Sequence, residues 1–249
     1  MNLRIAPRKL VCLLALAAAL PPAFAAERKP PAAKTIDSGS FGIFVNGKRV
    51  ATETFTIEQT ADGSVTKSEL KAEAGDVKAV QTSELQLSSV GNLRRYAWNE
   101  VSPGKAQATV EPQDEQMLMQ RVVLGPNEKP IDQPFLLPAS TAILDDYFFI
   151  QRELLAWRYL GAGCRPTPGD MQCKLSPAEF PALIPRQHLS LRVRMAYLGP
   201  ETVVVRGEPR QLNRFHLQGE GMDWALWLDE NNKLIRVVIA ADKTEIVRD

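Results

Sequence analysis

Turn-forming residues recur along this chain at short, regular intervals, each time between runs in which apolar and polar residues alternate. Phe41, Ile43 and Val45 alternate, Asn46-Gly47 follows, and residues 50–57 resume the pattern. Asn-Gly between such runs specifies a type I′ hairpin, because both central positions need positive φ. Ala61-Asp62-Gly63, Gly75-Asp76, Gly91-Asn92 and Ser102-Pro103-Gly104 then bound runs at 64–74, 77–90 and 93–101. That spacing predicts an antiparallel meander. Lys67, Glu69, Lys71 and Glu73 leave at least one face wet, which excludes a tightly closed sandwich and suits an open, curved sheet. Residues 107–110 and 117–124 add a hairpin.

The C-terminal part repeats the pattern. Leu189, Leu191, Val193, Met195 and Tyr197 alternate with Ser190, Arg192 and Arg194, and Gly199-Pro200 reads as a turn. Runs at 203–206 and 212–218 follow. The stretch DWALWLD (223–229) is apolar on both faces, so it is expected to be covered on both, on one side by a helix. Glu230-Asn231-Asn232 turns the chain into 233–240, and 244–247 is a last short strand.

One stretch has a helical period instead. Over residues 141–160, Ile143, Tyr147, Ile150, Leu154 and Trp157 share one face, widened by Leu144, Phe148 and Leu155. Arg152, Glu153 and Arg158 are assigned to the other side. Ser140 or Thr141 is the expected cap, Asp145 and Asp146 complement the helix dipole in the first turn, and Gly161 and Gly163 are the expected stop. Such a helix is roughly 25 to 30 Å long. Asp145, Asp146, Arg152, Glu153 and Arg158 argue against a membrane span, since each charge costs about 2.5 to 3.5 kcal/mol at a bilayer centre.

The helix is flanked by Pro-rich segments. GPNEKPIDQPFLLPAS (125–140) reads as a loop with the apolar patch Phe135-Leu136-Leu137, and LSPAEFPALIP as a connector with Phe180, Leu183 and Ile184. Loops this long are usually functional or packed down. Together they predict a helix and disulfide insertion at 125–186 within a single β-rich domain, 36–249.

Residues 1–25 read as a secretory signal. Arg4, Arg8 and Lys9 precede an apolar run of 11–20, Pro21-Pro22 breaks it, and Ala23-Phe24-Ala25 is a small-x-small cleavage site. The run is too short for an anchor, and Cys12 lies inside it. Residues 26–35 form a polar, Pro-rich lead-in. Cleavage after Ala25 lowers 30 Lys and Arg by three to 27, against 29 Asp and Glu, a net charge of −2. That balance gives no electrostatic basis for nucleic-acid or anionic-membrane binding. Cleavage also leaves two cysteines, Cys164 and Cys173, around RPTPGDMQ. In an oxidising compartment this is a disulfide closing a small loop. The eight intervening residues match no C-x-x-C redox or metal pattern and include no histidine.

Catalytic signatures carry no weight here. His188 and His216 belong to no H-E-x-x-H or nucleophile motif, and there is no phosphate loop. Adjacent Asp145 and Asp146 diverge by about 100° on a helix and make a poor carboxylate pair. Arg192, Arg194, Arg206 and Arg210 read as a solvated face. No cofactor or metal is expected, and a hydrolase would need His188 or His216 to meet an acid and a nucleophile. What remains is apolar surface beyond what a flat sheet needs: Phe135, Leu137, Tyr147, Ile150, Leu154, Trp157, Phe180 and Trp224. These are the candidate ligand-binding residues, around a curved sheet whose concave face is closed by the helix and loops.

Long antiparallel strands, a helix-plus-loop insertion and a final W-L-D-E-N-N-K-L-I-R-V hairpin resemble two groups of bacterial envelope proteins. One has the periplasmic lipoprotein-carrier type of fold, an incomplete barrel with a helical lid. The other comprises secreted proteins whose strands read like FGIFVNGKRVATETFTI and end like WLDENNKLIRVVI. The resemblance implies a fold, and fold does not fix function. The expectation is a mainly β (α+β) protein, exported to a bacterial periplasm. It is expected to be a non-enzymatic binding or carrier protein for a lipid or acylated partner. The alternative is an envelope scaffold that binds another protein through sheet edges or the 125–140 loop.

Overall fold

The computed structural model describes residues 33–73, 78–167, 170–174 and 176–249. The expected signal peptide, residues 26–32 of the lead-in and the Gly75-Asp76 turn lie outside the described residues. The first strands are β1 (Lys34–Val45), β2 (Lys48–Thr60), β3 (Gly63–Ala72), β4 (Val80–Ser88), β5 (Leu93–Ser102), β6 (Gln107–Pro112), β7 (Leu118–Val123) and β8 (Ile131–Phe135). Then come β9 (Ala142–Ile143), helix α1 (Ile150–Gly163) and the hairpin of β10 (Cys164–Thr167) and β11 (Asp170–Cys173). The chain ends with β12 (Ala178–Ile184), β13 (Leu189–Val205), β14 (Glu208–Gly219), β15 (Met222–Leu228), β16 (Leu234–Ile239) and β17 (Thr244–Arg248).

All strands except β10 and β11 join one 15-stranded sheet, in the order β8-β7-β6-β5-β4-β3-β2-β1-β17-β16-β15-β14-β13-β12-β9. Two meanders therefore meet at β1 and β17, where Ile43 faces Ile246. The sheet's edges are β8 and β9, which share no ladder. Yet only residues 136–141 separate them in the chain, a span of at most about 25 Å when fully extended. A flat sheet of this width cannot satisfy that tether, so the sheet must roll. Gln120 on β7 closes part of the gap, its Nε2 donating to the carbonyl of Pro185 just beyond β12 at 2.8 Å. The result is the incomplete barrel expected from the sequence.

The hairpin expected at Asn46-Gly47 forms, with φ of 50° and 77° and Val45 paired to Lys48. Gly199-Pro200 does not turn the chain. β13 runs straight through it, Leu198 drops out of register between Tyr197 and Gly199, and Gly199 takes φ 107°. This is a bulge, for which glycine is suited. The reversal comes later, at Arg206-Gly207.

The Pro-rich segments also belong to the sheet. Residues 131–135, expected in a loop, form edge strand β8, where Pro134 is tolerated because one side needs no donor. The connector at 178–184 forms β12, next to the two-residue edge β9. What stands apart from the sheet is therefore narrower than 125–186: the approach to α1, α1 itself and the disulfide hairpin. Cys164 and Cys173 do form the disulfide, as a directly opposed pair in the β10–β11 ladder.

Helix α1 begins nine residues later than the apolar period suggests. Residues 144–149 are turns and irregular backbone, so Ser140 and Thr141 do not cap it, and Asp145 and Asp146 are not in its first turn. Gly161 and Gly163 lie inside its last turn. Arg152 and Glu153, expected on the outer face, are 1% and 0% exposed. The reason is shared: the helix sits within the rolled sheet and is covered on several sides. One core unites Ile150, Leu155, Ala156 and Tyr159 with inward residues of both meanders, among them Phe41, Phe55, Tyr96, Met195 and Phe215. A second cluster, with Val205, Leu212, Trp227, Ile235 and Val247, covers the opposite face of the C-terminal strands. The 223–229 strand is thus covered on both sides, as expected.

Candidate functional site

A helix buried on several sides must have its polar groups satisfied by the sheet. Its N-terminus has no side-chain cap of its own. Glu53 of β2 supplies one from far along the chain, with Oε2 accepting the Phe149 N–H at 2.6 Å and the Ile150 N–H at 3.4 Å. Its other oxygen accepts the Ser68 hydroxyl at 3.0 Å. Burial pushes the Glu53 carboxyl up to about 8, against the pull of Ser68, the two amides and the Arg152 guanidinium. Arg152 itself donates to the carbonyls of Leu144, Asp145 and Phe148 and lies 4.9 Å from the Trp224 ring centre.

Asp145 is drawn out of the helix by partners on other elements. It accepts Tyr96 Oη at 2.5 Å and both its oxygens accept Arg186 Nε at 3.0 Å. Burial first, and then the Asp145 charge, hold the Tyr96 hydroxyl well above its ordinary value. At the next turn of α1, Glu153 accepts the Leu234 N–H at 2.6 Å and Arg248 Nη1 at 3.3 Å. Burial and the neighbouring Asp37 carboxylate push Glu153 up to about 9. Burial also works to raise Asp37, but Arg248 and Lys233 outweigh it and the net shift is downward. These groups anchor the helix to both meanders.

One side of α1 is left open. Leu154, Trp157, Arg158, Gly161 and Ala162 follow a three-and-four spacing and form one wall of a cleft of about 660 Å³. The facing wall comes from Ile36 at the start of β1, the β2–β3 turn with Gln59 and Ser64, and the β4–β5 turn with Leu87 and Val90. Val90 is 79% exposed at the rim. A recess of about 30 Å³, lined by Leu85, Ile143 and Leu155, shares Leu87, Leu154 and Arg158 with the cleft and deepens it. Trp157 is held in place by Nε1, which donates to the Asn232 carbonyl at 2.6 Å. Gly63, in the facing wall, has φ 151°, and a Cβ there would fall 1.9 Å from the Leu87 carbonyl oxygen. The close crossing of that turn over β4 requires glycine.

Of the expected site residues, Leu154 and Trp157 alone line this cleft. Ile150 is fully buried beneath the helix. Tyr147 has left the helical face, with φ 65° and 53% exposure. Phe135 and Phe180 are core residues, and Leu137 and Trp224 pack on that core from partly exposed positions. Phe180 lies under Arg158, 5.2 Å from its guanidinium carbon. Sequence reasoning missed Ile36, Leu87, Val90, Arg158 and Ala162. The stripe 154-157-158-161-162 is periodic in the sequence, but two glycines assigned as a stop hid its second half.

Serines are the hydroxyl groups in the cleft wall, and Arg158 is its one ionisable side chain among the described residues. His188 Nδ1 meets Gln120 at 3.3 Å, and His216 Nε2 meets Asp223 at 2.5 Å, neither of them in the cleft. Among the described residues no cluster of His, Cys, Asp or Glu is placed to hold a metal ion. The arrangement can enclose an apolar chain and offers it one cation. Compared with protein-family models, curated proteins and solved structures, the chain shows no match.

Proposed function

We propose that this chain is an exported, non-enzymatic binding or carrier protein for a lipid or acylated partner, working in a bacterial periplasm. The observation that carries this reading is the open side of α1. The cleft's volume, about 660 Å³, lies in the range of small-molecule sites, and Ile36, Leu87, Val90, Leu154, Trp157 and Ala162 give it an apolar wall beside the polar Gln59, Ser64, Ser88, Ser89 and Arg158. The helix is fixed by Glu53, Arg152 and Glu153, so the cleft is pre-formed and its occupation needs little ordering. Export is supported by the N-terminal sequence and by the Cys164–Cys173 disulfide. No helix among the described residues is long and apolar enough to cross a membrane.

Native mass spectrometry on gently purified protein, with thermal melting in the presence of acyl ligands, tests the proposal. A co-purifying lipid, or a melting temperature that rises with acyl chain length, is the expected result. Each methylene buried is worth about 0.8 kcal/mol, or roughly fourfold in affinity. A protein with no bound lipid and no shift for any chain length would overturn it.

A second reading, an envelope scaffold that binds another protein, is favoured by the β8 edge. Leu124, Ile131 and Leu136 are 61%, 56% and 89% exposed along it, and an unpaired edge is a template for a further strand. A pull-down from envelope extract separates the two: a stoichiometric protein partner lost on Ile131→Lys, with no lipid bound, would favour the scaffold.

A further inference from the structure

The cation in the cleft wall is Arg158, and its surroundings are unusual for an arginine. It is half-buried on α1, and no carboxylate of the described residues lies within salt-bridge distance of it. Arg152, fully buried on the same helix, also lacks a salt bridge, but three backbone carbonyls accept from its Nη groups, and the two remaining arginines against the helix are ion-paired. Arg186 faces Asp145 at 3.0 Å, and Arg248 faces Asp37 at 2.6 Å. Arg158 is positioned by neutral groups: one Nη1 hydrogen bond to the Ser140 carbonyl, and the Phe180 ring beneath its plane. Its Nε and Nη2 meet no acceptor among the described residues and are not sealed from solvent. Burial alone lowers its proton affinity, with no neighbouring anion to restore it. Removing a guanidinium from water without a counter-ion is unfavourable. An anion arriving in the cleft would supply the missing partner, with a planar fork of donors already oriented.

We infer that the cleft takes an amphiphile with an anionic head, whose carboxylate or phosphate is bound by the free donors of Arg158 while its alkyl chain lies along Leu154, Trp157, Leu87 and Val90. This rests on the reading of the cleft as an acyl site. Arg158 lines both the main cleft and its apolar recess, so a head at Arg158 leaves the apolar wall to the chain. The serines and Gln59 across the cleft provide neutral donors for the remaining oxygens.

The test is isothermal titration calorimetry of the purified protein with four C16 probes below their micellar concentrations: hexadecanoate, hexadecyl phosphate, hexadecanol and hexadecyltrimethylammonium. Both anionic probes are expected to bind at least about tenfold tighter than hexadecanol, the range of one charge-assisted hydrogen-bond pair, and the cationic probe weakest. Whichever anion binds tighter separates a fatty-acid head from a phosphate head. In Arg158→Gln the preference for anions over hexadecanol should fall to within about twofold, with the wild-type circular dichroism spectrum retained as the check on folding; Arg158→Lys should keep part of it. Hexadecanol binding as tightly as hexadecanoate would overturn the assignment of Arg158 but leave the acyl site standing. An anion preference that survives Arg158→Gln would likewise overturn it. Failure of all four probes would overturn the acyl site as well. The head-group comparison in the wild type can overturn the anionic head without any variant.

Discussion

Arg152 and Glu53 are the residues on which the helix depends. Arg152 donates to three carbonyls just before the helix: those of Leu144 and Asp145, and that of Phe148, which also accepts the Gln151 N–H at 3.3 Å. Arg152→Met is therefore expected to lower stability by about 2 to 5 kcal/mol, because the carbonyls of Leu144 and Asp145 lose their buried donor at about 1 to 3 kcal/mol each, read as a shift of the urea midpoint. Glu53 makes the fold pH-sensitive in a defined direction. Its carboxyl is raised by burial to about 8 in the folded protein, above the ordinary value of about 4.3 when unfolded. The folded state then holds the proton more tightly, so its contribution is fully present below about pH 4 and is lost as pH rises towards 8. Glu153, raised to about 9, acts in the same direction. Stability should fall from pH 5 to pH 8, by up to about 1.4 kcal/mol per pH unit for each group. Glu53→Gln, which keeps an acceptor for the Phe149 and Ile150 amides, should flatten that slope. An unchanged slope would show that Glu53 does not titrate in this window. None of this was legible in the sequence. Glu53 reads there as one of several polar positions in an alternating strand, and its partner lies 96 residues away.

At the level of elements, helix α1 shows how an apolar period can mislead. Ile143, Leu144, Phe148, Ile150 and Leu155 do face the core, but Tyr147 is exposed and Arg152 and Glu153 are buried, so the period marked apolar positions without marking one helical face. Its first part is not helical, because Asp145 is held by Tyr96 and Arg186, and Ile143 pairs with Leu183 as a strand. Tertiary contacts outweigh a propensity worth a few tenths of a kcal/mol per residue. The disulfide was legible because its warrant was local: two cysteines around a turning segment. Cys164 continues the helix end directly into the β10–β11 hairpin, and its N–H bonds the Leu160 carbonyl. Removing the bridge in a Cys164→Ser, Cys173→Ser double variant is expected to cost about 2 to 3 kcal/mol for so short a loop, measured by denaturant titration. A cost near zero would mean that the hairpin ladder alone holds this segment.

On the scale of the whole molecule, the meanders could be read from turn residues, but the way the two join into one sheet could not. Nothing in the sequence of β1 and β17 announces that the two ends of the domain pair at the centre of the sheet. The strands at the sheet's margins were hidden for a physical reason: Pro134 and Pro181 are tolerated only near an edge, and there they look like loop prolines. This order predicts a gradient in amide hydrogen exchange. β1, β2 and β17, paired on both sides, should be the slowest, and β8 and β9 the fastest. Equal protection at β8 would indicate a closed barrel instead. The rolled sheet is also what creates the cleft, since it brings the β2–β3 and β4–β5 turns opposite the free side of α1. Whether that cleft holds an acyl chain is most directly measured by tryptophan quenching with 9,10-dibromo-octadecanoate, because bromine quenches only on contact. The protein has four tryptophans, of which Trp157 is the one in the cleft wall. Saturable quenching that is lost in Trp157→Phe and kept in Trp98→Phe is the predicted result. Quenching that persists unchanged in Trp157→Phe, or none in the wild type, would contradict it.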